Sequence, residues 1–271
     1  MKAILLPTEA NESMNATFET ARVFASFFAS RIEGIDLAAD LQFMLTGDLA
    51  EPLSAVMLEQ QSSESRHMAR HLFESFFATA QLGGATAEWR EGVHATDGDL
   101  GAVARVYDIT VLGRPGQGVK SARMASLEAA LFESGRAILV APPVPAATMC
   151  NHVMIAWNHS TETARAVAMA NDVLARAKKI TILTVEGSTI IGPTGDDLAA
   201  HLRLRGLAVD AVTVKPTPRG SGDTILSEAR ERSCDLLIKG AYTQSRLRQM
   251  FFGGATSHIL AHTAVPVFMA N

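Results

Sequence analysis

The clearest chemical potential in this sequence lies in a glycine-rich segment near its end. An apolar run, Leu236-Leu237-Ile238, is followed by Gly240 and later by Gly253-Gly254-Ala255-Thr256, where a helix is predicted to begin. Backbone N–H groups at a helix N-terminus bind anions, and glycines let a ligand approach them closely. The spacing therefore predicts an anion site, with a tight turn followed by a helix N-cap as the alternative.

Short apolar runs alternate with helical patterns throughout the second half of the chain. Ser160 is predicted to cap the first of these helices, and Gly206 to end the second. Such alternation predicts a mostly parallel sheet with helices on both faces, and ligands bind beyond the carboxyl ends of such strands. The predicted strands are 153–156, 180–185, 207–214, 236–238 and 265–269, and the predicted helices are 160–178, 196–205, 224–232 and 256–262.

The first half of the chain repeats this order of elements, which indicates an internal duplication. The segment Asp108–Gly113 matches Asp235–Gly240, and further strands are predicted at 3–6, 85–91 and 138–140. The offset between the copies falls from about 149 to 127 residues, so about 22 extra residues are placed between Leu41 and Glu64. Because consecutive prolines favour extended linkers, the boundary is placed at 142–147. The predicted domains are 1–146 and 147–271.

Composition is typical of a folded protein, and charge differs between the halves. Hydrophobic residues make up 48% of the 271 residues. Residues 1–146 carry 11 Lys and Arg against 18 Asp and Glu, a net charge of −7, and residues 147–271 carry 13 against 10, a net charge of +3. The positive half is the expected place for an anionic ligand, with chance variation of surface charge as the alternative.

The cysteines and the apolar segments indicate a cytoplasmic protein. Cys150 and Cys234 are too few for a disulfide framework, which favours a reducing compartment, and Cys234 is expected to be a buried thiol rather than a nucleophile. The first apolar run ends at Pro7 and is too short for a signal peptide, and the run 137–150 is too short to span a bilayer. No membrane association is expected.

The pattern strand–Gly–x–x–Gly–nine residues–Gly–Ser/Thr, on this order of elements, resembles the universal stress protein family. The turn Ile155–Ser160 resembles the first-strand turn of that family, and Val265-Pro266-Val267 resembles its terminal strand. The resemblance covers nearly the whole chain as a tandem pair and is stronger in the second half. It implies an α/β fold of two tandem flavodoxin-like (Rossmann-like, adenine nucleotide alpha hydrolase-like) five-stranded parallel-sheet domains, related by a pseudo-twofold.

The resemblance also implies an adenine nucleotide, ATP or AMP, with Mg²⁺ accompanying ATP. Members that bind ATP hold adenine near the first and second strands and the phosphates in the glycine loop. By that resemblance, three residues of the second half face adenosine and the glycine segment cradles phosphate. The implied binding residues are Trp157, Asn158, Val185, Gly240, Thr243, Gly253, Gly254, Ala255 and Thr256.

Three of these positions depart from the family pattern. Thr243 replaces the second glycine, and its Cβ disfavours a positive φ. Gly254 stands where a Ser or Thr is expected, although Thr256 supplies a hydroxyl nearby. Asn158 replaces an acidic residue, so a contact there would lose its charge. Nucleotide binding in the second half is therefore expected but left open.

The first half departs further from the pattern. It keeps Gly113-Arg114-Pro115-Gly116, but Ser126-Leu127-Glu128 replaces the Gly-Ser pair. Glu128 would repel phosphate and Leu127 would crowd it, so standard ATP binding is not expected here. Against this, the opening Leu6-Pro7-Thr8-Glu9 resembles the Pro-Thr-Asp opening of some ATP-binding members.

Other candidates have simpler structural interpretations. The pairs His67/His71 and His258/His262 are expected to be solvated helix residues, since two histidines do not make a zinc site. Phenylalanines at helical spacing are interpreted as core or interdomain packing, and basic residues without interleaved aromatics give nucleic-acid binding little support. These are Phe24, Phe27, Phe28, Phe73, Phe76 and Phe77, and Arg203, Arg205, Arg246 and Arg248.

Three functions follow as hypotheses. The first is a stress-response protein that binds an adenine nucleotide in the second half, the second is a nucleotide-free interaction scaffold, and the third is a slow ATPase, for which no catalytic base or metal-binding carboxylate is placed. By resemblance, strands 138–140 and 265–269 should pair antiparallel, so that one chain mimics a dimer. A homodimer of the whole chain is a further option.

Overall fold

The protein folds into two compact α/β units, Met1–Arg136 and Ala137–Asn271. Each contains parallel strands connected by helices, which confirms the predicted fold class. The predicted domain boundary between residues 146 and 147 stays a prediction. A computed structural model describes residues 1–38, 55–116, 121–145, 147–242 and 254–271.

The first unit has four parallel strands in the order β3-β2-β1-β4. Its strands are almost fully buried in the centre, as expected where helices cover both faces of a sheet. Strands β1–β4 span Ala3–Thr8, Arg31–Ala38, Thr86–Thr96 and Ile109–Gly113, and helices α1–α4 span Met14–Phe28, Ala55–Thr79, Leu100–Ala104 and Met124–Glu133.

An aromatic cluster between α1 and α2 forms much of the core of the first unit. Phe18 lies at the centre, with its ring 5.2–6.0 Å from the rings of Phe73, Phe76 and Phe77. Phe24 and Phe28 form a second pair with ring centroids 5.0 Å apart. Of the phenylalanines predicted to pack in a core, Phe24, Phe28, Phe73 and Phe77 are buried, and Phe27 and Phe76 are half-buried. The segment predicted to carry the extra residues lies mostly outside the described residues, and its described part begins α2.

The second unit has strands in the order β5-β10-β9-β6-β7-β8. Apart from β5 the strands are parallel, and their order is the 3-2-1-4-5 arrangement of a Rossmann-like sheet. Strands β5–β10 span Ala137–Ala141, His152–Ala156, Lys179–Val185, Val209–Val214, Leu236–Gly240 and Val267–Ala270, and helices α5–α9 span Thr161–Met169, Asn171–Leu174, Gly195–Arg203, Ser221–Glu231 and Ala255–His262.

The antiparallel pairing of β5 with β10 agrees with the predicted pairing of these strands. Val140, Leu139 and Ile138 lie opposite Val267, Phe268 and Met269. All six residues are buried, so this edge of the β10 strand is paired and shielded from other chains. The predicted pseudo-twofold and the homodimer stay predictions.

Capping residues fix the helix ends of the second unit as predicted, with one correction. The Ser160 hydroxyl accepts a hydrogen bond from the Thr163 N–H at 3.1 Å, and Gly206 takes a φ of 76° past the end of α7. The single helix predicted over 160–178 is wrong, because it is divided into α5 and α6. Ala170 has a ψ of 10° at the break, and Asn171, a residue of low helix propensity, follows it.

Among the described residues, no helix combines the length and the apolar character needed to cross a bilayer.

Candidate functional site

A cavity of about 590 Å³ opens at the carboxyl edge of the second unit's sheet. It lies where β6 and β9 run side by side and the chain order reverses, which is where open α/β sheets bind ligands. Its volume falls within the usual range for small-molecule sites. The described lining comprises Ala156, Trp157, Asn158, Thr163, Leu183, Val185, Gly187, Ser188, Thr189, Ile190, Ser221, Ile225, Lys239, Gly240, Gly254, Ala255 and Thr256.

The cavity brings together seven of the nine residues that the sequence predicted for the site. Thr243 and Gly253 lie outside the described residues, as do Arg246 and Arg248. The seven come from two separate regions of the chain, the ends of β6 and β7 and the segment around β9 and α9. The seven residues in the lining are Trp157, Asn158, Val185, Gly240, Gly254, Ala255 and Thr256.

Trp157 and Val185 form an apolar wall of the cavity. The Trp157 backbone N–H donates to the Leu183 carbonyl at 2.8 Å, and its indole Nε1–H donates to the Pro193 carbonyl at 2.9 Å. Both Trp157 and Val185 are 4% exposed. Because Trp157 is held through both its backbone and its indole, this wall has a defined shape without a ligand.

Asn158 lines the cavity, and its side-chain carbonyl also organises the turn into α5. Its Oδ1 accepts from the Thr163 hydroxyl at 2.6 Å and from the Ser160 N–H at 3.3 Å. The next residue, His159, has a φ of 66°, and its Nδ1 lies 3.0 Å from the Ile190 carbonyl oxygen. The Asn158 side-chain oxygen is therefore engaged in hydrogen bonds within the protein. That this residue faces adenosine stays a prediction.

Gly240 lets the first turn of α5 lie directly against the end of β9. A Cβ added at Gly240 would stand 2.5 Å from the Glu162 carbonyl carbon and still closer to the Thr163 backbone nitrogen. The Gly240 N–H donates to the Thr163 hydroxyl at 3.3 Å, which continues the chain of hydrogen bonds from Asn158. The glycine is thus needed for packing, and its position on the cavity follows from that close contact.

We expect Gly240→Ala to lower the free energy of unfolding by about 3 kcal/mol, because the new methyl group meets backbone atoms of α5. The equivalent glycine of the first unit, Gly113, offers a matched control. A Cβ there would meet side-chain atoms rather than backbone atoms, namely the oxygens of Ser13 and Thr17 at 2.8 and 3.0 Å and the Ala122 methyl at 3.1 Å. Gly113→Ala should cost only about 1 kcal/mol by urea denaturation. Equal losses for both variants would contradict this account.

Two helices begin in the lining of the cavity. Gly254 is the N-cap of α9, and Gly220 is the N-cap of α8, which begins at Ser221. Neither cap position provides a side-chain hydrogen bond to its helix. The first-turn N–H groups of a helix lack intrahelical partners and carry partial positive charge, so this part of the lining favours an anion.

Lys239 is the functional candidate that the sequence analysis missed. It precedes Gly240 on β9, is 5% exposed, and lines the cavity. Its Nζ donates to the Thr256 hydroxyl at 2.8 Å and to the Gly240 carbonyl at 2.6 Å. Burial lowers the pKa of Lys239 to about 7, because the ammonium is removed from water. The signal in the sequence was a lysine inside an otherwise apolar strand.

The free energy of unfolding should depend on pH because of this lysine. Because its pKa is about 7 in the folded state against an ordinary 10.5, the unfolded chain binds more protons between these values. Wild-type stability should therefore rise with pH across this window, by at most about 1.4 kcal/mol per pH unit from this group. Denaturant titrations from pH 7 to pH 10 should show that increment in wild type and lose it in Lys239→Met. The exposed Lys215→Met serves as the control and should keep it.

The corresponding edge of the first unit is closed by an ion-pair network. Arg123, the N-cap residue of α4, donates through Nε to both carboxylate oxygens of Asp97 at 2.9 Å and through its terminal nitrogen to Glu9. The Ser126 hydroxyl donates to the same Asp97. Leu127, predicted to crowd a ligand, is buried in the core instead. Charged side chains of the protein thus occupy the edge of this unit at which a bound anion would need hydrogen-bond donors.

We expect Arg123→Met to destabilise the protein by about 3 kcal/mol, because Glu9 and Asp97 would be left as neighbouring, largely buried carboxylates. Burial already raises the pKa of Glu9, and Arg123 opposes that shift. The folded state therefore holds the Glu9 proton more tightly than the unfolded chain does, and the loss should shrink as pH falls from 7 towards 5. Adding Glu9→Gln to Arg123→Met should restore part of the stability, and no restoration would argue against the carboxylate pair.

The remaining candidates take structural roles in the described part of the chain. Cys150 and Cys234 are buried, and burial raises the pKa of Cys234 to about 11, so neither thiol is activated. His67 and His71 are exposed on α2, and the rings of His258 and His262 stack 4.4 Å apart on α9. No group of three or more metal-ligating side chains is assembled among the described residues.

The family model of the universal stress proteins matches residues 149–271. The second half of this chain belongs to the universal stress protein family. The match begins just before β6 and includes every residue predicted for the site, so the resemblance stated for the second half is confirmed. No curated protein matches this chain in sequence.

Solved universal stress proteins share the fold over the whole chain. One from Archaeoglobus fulgidus DSM 4304 covers 99% of this chain and 96% of its own, with a TM-score of 0.76 at 17% identity. A putative one from Pseudomonas aeruginosa UCBPP-PA14 covers 100% and 93%, with a TM-score of 0.51 at 11% identity. A third, in complex with cAMP, covers 46% and 98%, with a TM-score of 0.34 at 18% identity. The first two likenesses establish the fold.

Proposed function

We propose that the universal stress protein domain of this chain binds an adenine nucleotide, ATP or AMP, in the cavity at the carboxyl edge of its sheet. The observation that carries the proposal is that the lining of this cavity combines two chemically different groups of residues. Trp157 and Val185 provide a buried apolar surface, and the first residues of α8 and α9 provide helix N-termini. A nucleotide combines two matching groups, with a flat base at one end and phosphate at the other.

The start of α9 provides the donors for the phosphate. The N-cap Gly254 has no side chain to accept from the N–H groups of Thr256 and Ser257, and the helix dipole favours a negative charge there. Thr256 and Ser221 add hydroxyl groups to the lining. These groups suit a phosphate better than a neutral ligand. Mg²⁺ would accompany ATP, and it would be held by the phosphates, since the described lining offers no carboxylate.

The alternative is a nucleotide-free interaction scaffold in a stress response. The ion-pair network that closes the first unit's edge favours this role for that unit, because Arg123, Glu9 and Asp97 satisfy one another. Catalysis has less support: no described carboxylate or histidine lines the cavity to act as a base. A cytoplasmic location and a homodimer remain predictions.

Gly254→Asp should remove phosphate binding without harming the fold. The N-cap conformation, with φ −90° and ψ 170°, accepts an ordinary residue, and an aspartate there would cap α9 with its own carboxylate. The carboxylate would take the N–H groups and repel phosphate, so calorimetric affinity for AMP should fall about 100-fold or more. Adenosine, which has no phosphate, should bind Gly254→Asp as it binds wild type.

Gly254→Ala is the matched control, since it adds a methyl group without an acceptor and should retain most of the AMP affinity. ATP should be titrated with and without Mg²⁺ to identify the preferred nucleotide. No heat and no thermal shift with wild type at millimolar AMP or ATP would reject nucleotide binding and leave the scaffold hypothesis.

A further inference from the structure

The lining of the cavity is neutral except at one point. Of the described lining residues, Lys239 is the one with a charged side chain. It reaches the cavity from β9, on the side where α9 begins. A cation alone in a neutral cavity favours a ligand of opposite charge, since the lining provides no carboxylate to balance it among the described residues.

Among the residues that the structure describes, the two hydrogen-bond partners of Lys239 are both neutral. Thr256 accepts through its hydroxyl and Gly240 through its backbone carbonyl, at 2.8 and 2.6 Å. An ammonium has three N–H donors, so these two acceptors leave one donor for a ligand. Thr256 is the second residue of α9, so the amine lies beside the uncapped first turn of that helix. The amine and the helix N-terminus therefore point to the same anion position.

Burial of the Lys239 ammonium is energetically unfavourable. An ammonium that is removed from water without a counter-charge costs free energy, and the protein lowers that cost by releasing the proton or by gaining an anion. The lowered pKa of Lys239, about 7, agrees with the first outcome. A phosphate at the start of α9 would produce the second outcome and keep the ammonium charged.

We propose that Lys239 is the residue by which this cavity selects phosphorylated over unphosphorylated ligands, its ammonium donating directly to the ligand's phosphate. The inference rests on the proposed function for the identity of the base and names the residue that determines the charge of the ligand. The Thr256 hydroxyl holds the amine in place at 2.8 Å and is a positioning residue in this arrangement.

The first test compares AMP with adenosine by calorimetry. Lys239→Met keeps an unbranched chain of similar length without the charge, and Lys239→Gln keeps a donor without the charge. In both variants the affinity for AMP should fall about 10- to 100-fold, whereas the affinity for adenosine should stay within about twofold. Lys215→Met, at an exposed site, should leave both affinities unchanged. Circular dichroism of each variant confirms that it is folded before it is titrated.

The second test uses the wild-type chain and needs no variant. Formaldehyde condenses with the neutral Lys239 amine to an imine with loss of water, and cyanoborohydride delivers the hydride that converts the imine to methyl-lysine. Peptide mass spectrometry then gives the methylation rate of Lys239 relative to Lys215. AMP should slow methylation of Lys239 several-fold, and adenosine should not, because only AMP engages the amine.

The outcomes separate this inference from the proposed function. If wild type binds AMP, and Lys239→Met and Lys239→Gln bind it equally well with no protection from methylation, the inference is wrong and the nucleotide site stands. If wild type binds neither AMP nor adenosine, nucleotide binding is rejected. In that case, protection of Lys239 by inorganic pyrophosphate alone supports its role towards anions, and absence of protection overturns it.

Discussion

The contact between Gly240 and the first turn of α5 is the constraint on which the site depends. The strand end and the helix start touch through backbone atoms, because a Cβ at Gly240 would overlap Glu162 and Thr163. This contact anchors the turn that leads from β6 into α5, and Asn158 stabilises it through the Thr163 hydroxyl. With that turn fixed, the Trp157 indole is fixed as well. The cavity is therefore a consequence of how closely two elements pack, and its shape exists before a ligand binds.

The order of the strands determines where the cavity lies. Because β6 and β9 are neighbours and their connecting helices leave on opposite sides, a crevice forms at their carboxyl ends. Helices α8 and α9 direct their N-termini towards it, and β9 places Lys239 beneath them. Burial of the Lys239 ammonium is the energetically unfavourable part of this arrangement. Its described partners are neutral, so they stabilise its position and do not compensate its charge.

Much of the second unit could be predicted from the sequence, because its signals are local. Alternating apolar runs predicted the strands, Ser160 and Gly206 predicted helix ends, and the glycine segment predicted the edge at which the site lies. Lys239 was missed because the burial of a lysine depends on which elements cover its strand. The break at Ala170 was missed because the helical pattern continues through it.

The first unit shows the limit of such prediction more clearly. Its network joins Glu9, Asp97 and Arg123, which follow three different strands and are far apart in sequence, so no spacing pattern reveals it. The same edge of the repeated fold thus has two electrostatic solutions. In the first unit the guanidinium is paired with carboxylates of the chain, and in the second the partners of the ammonium in the described part of the chain are neutral. A cation that is already neutralised has little to offer an anionic ligand, whereas one without a counter-charge gains stability from it. This difference, more than the loss of individual glycines, separates an edge that holds the fold together from an edge suited to a ligand.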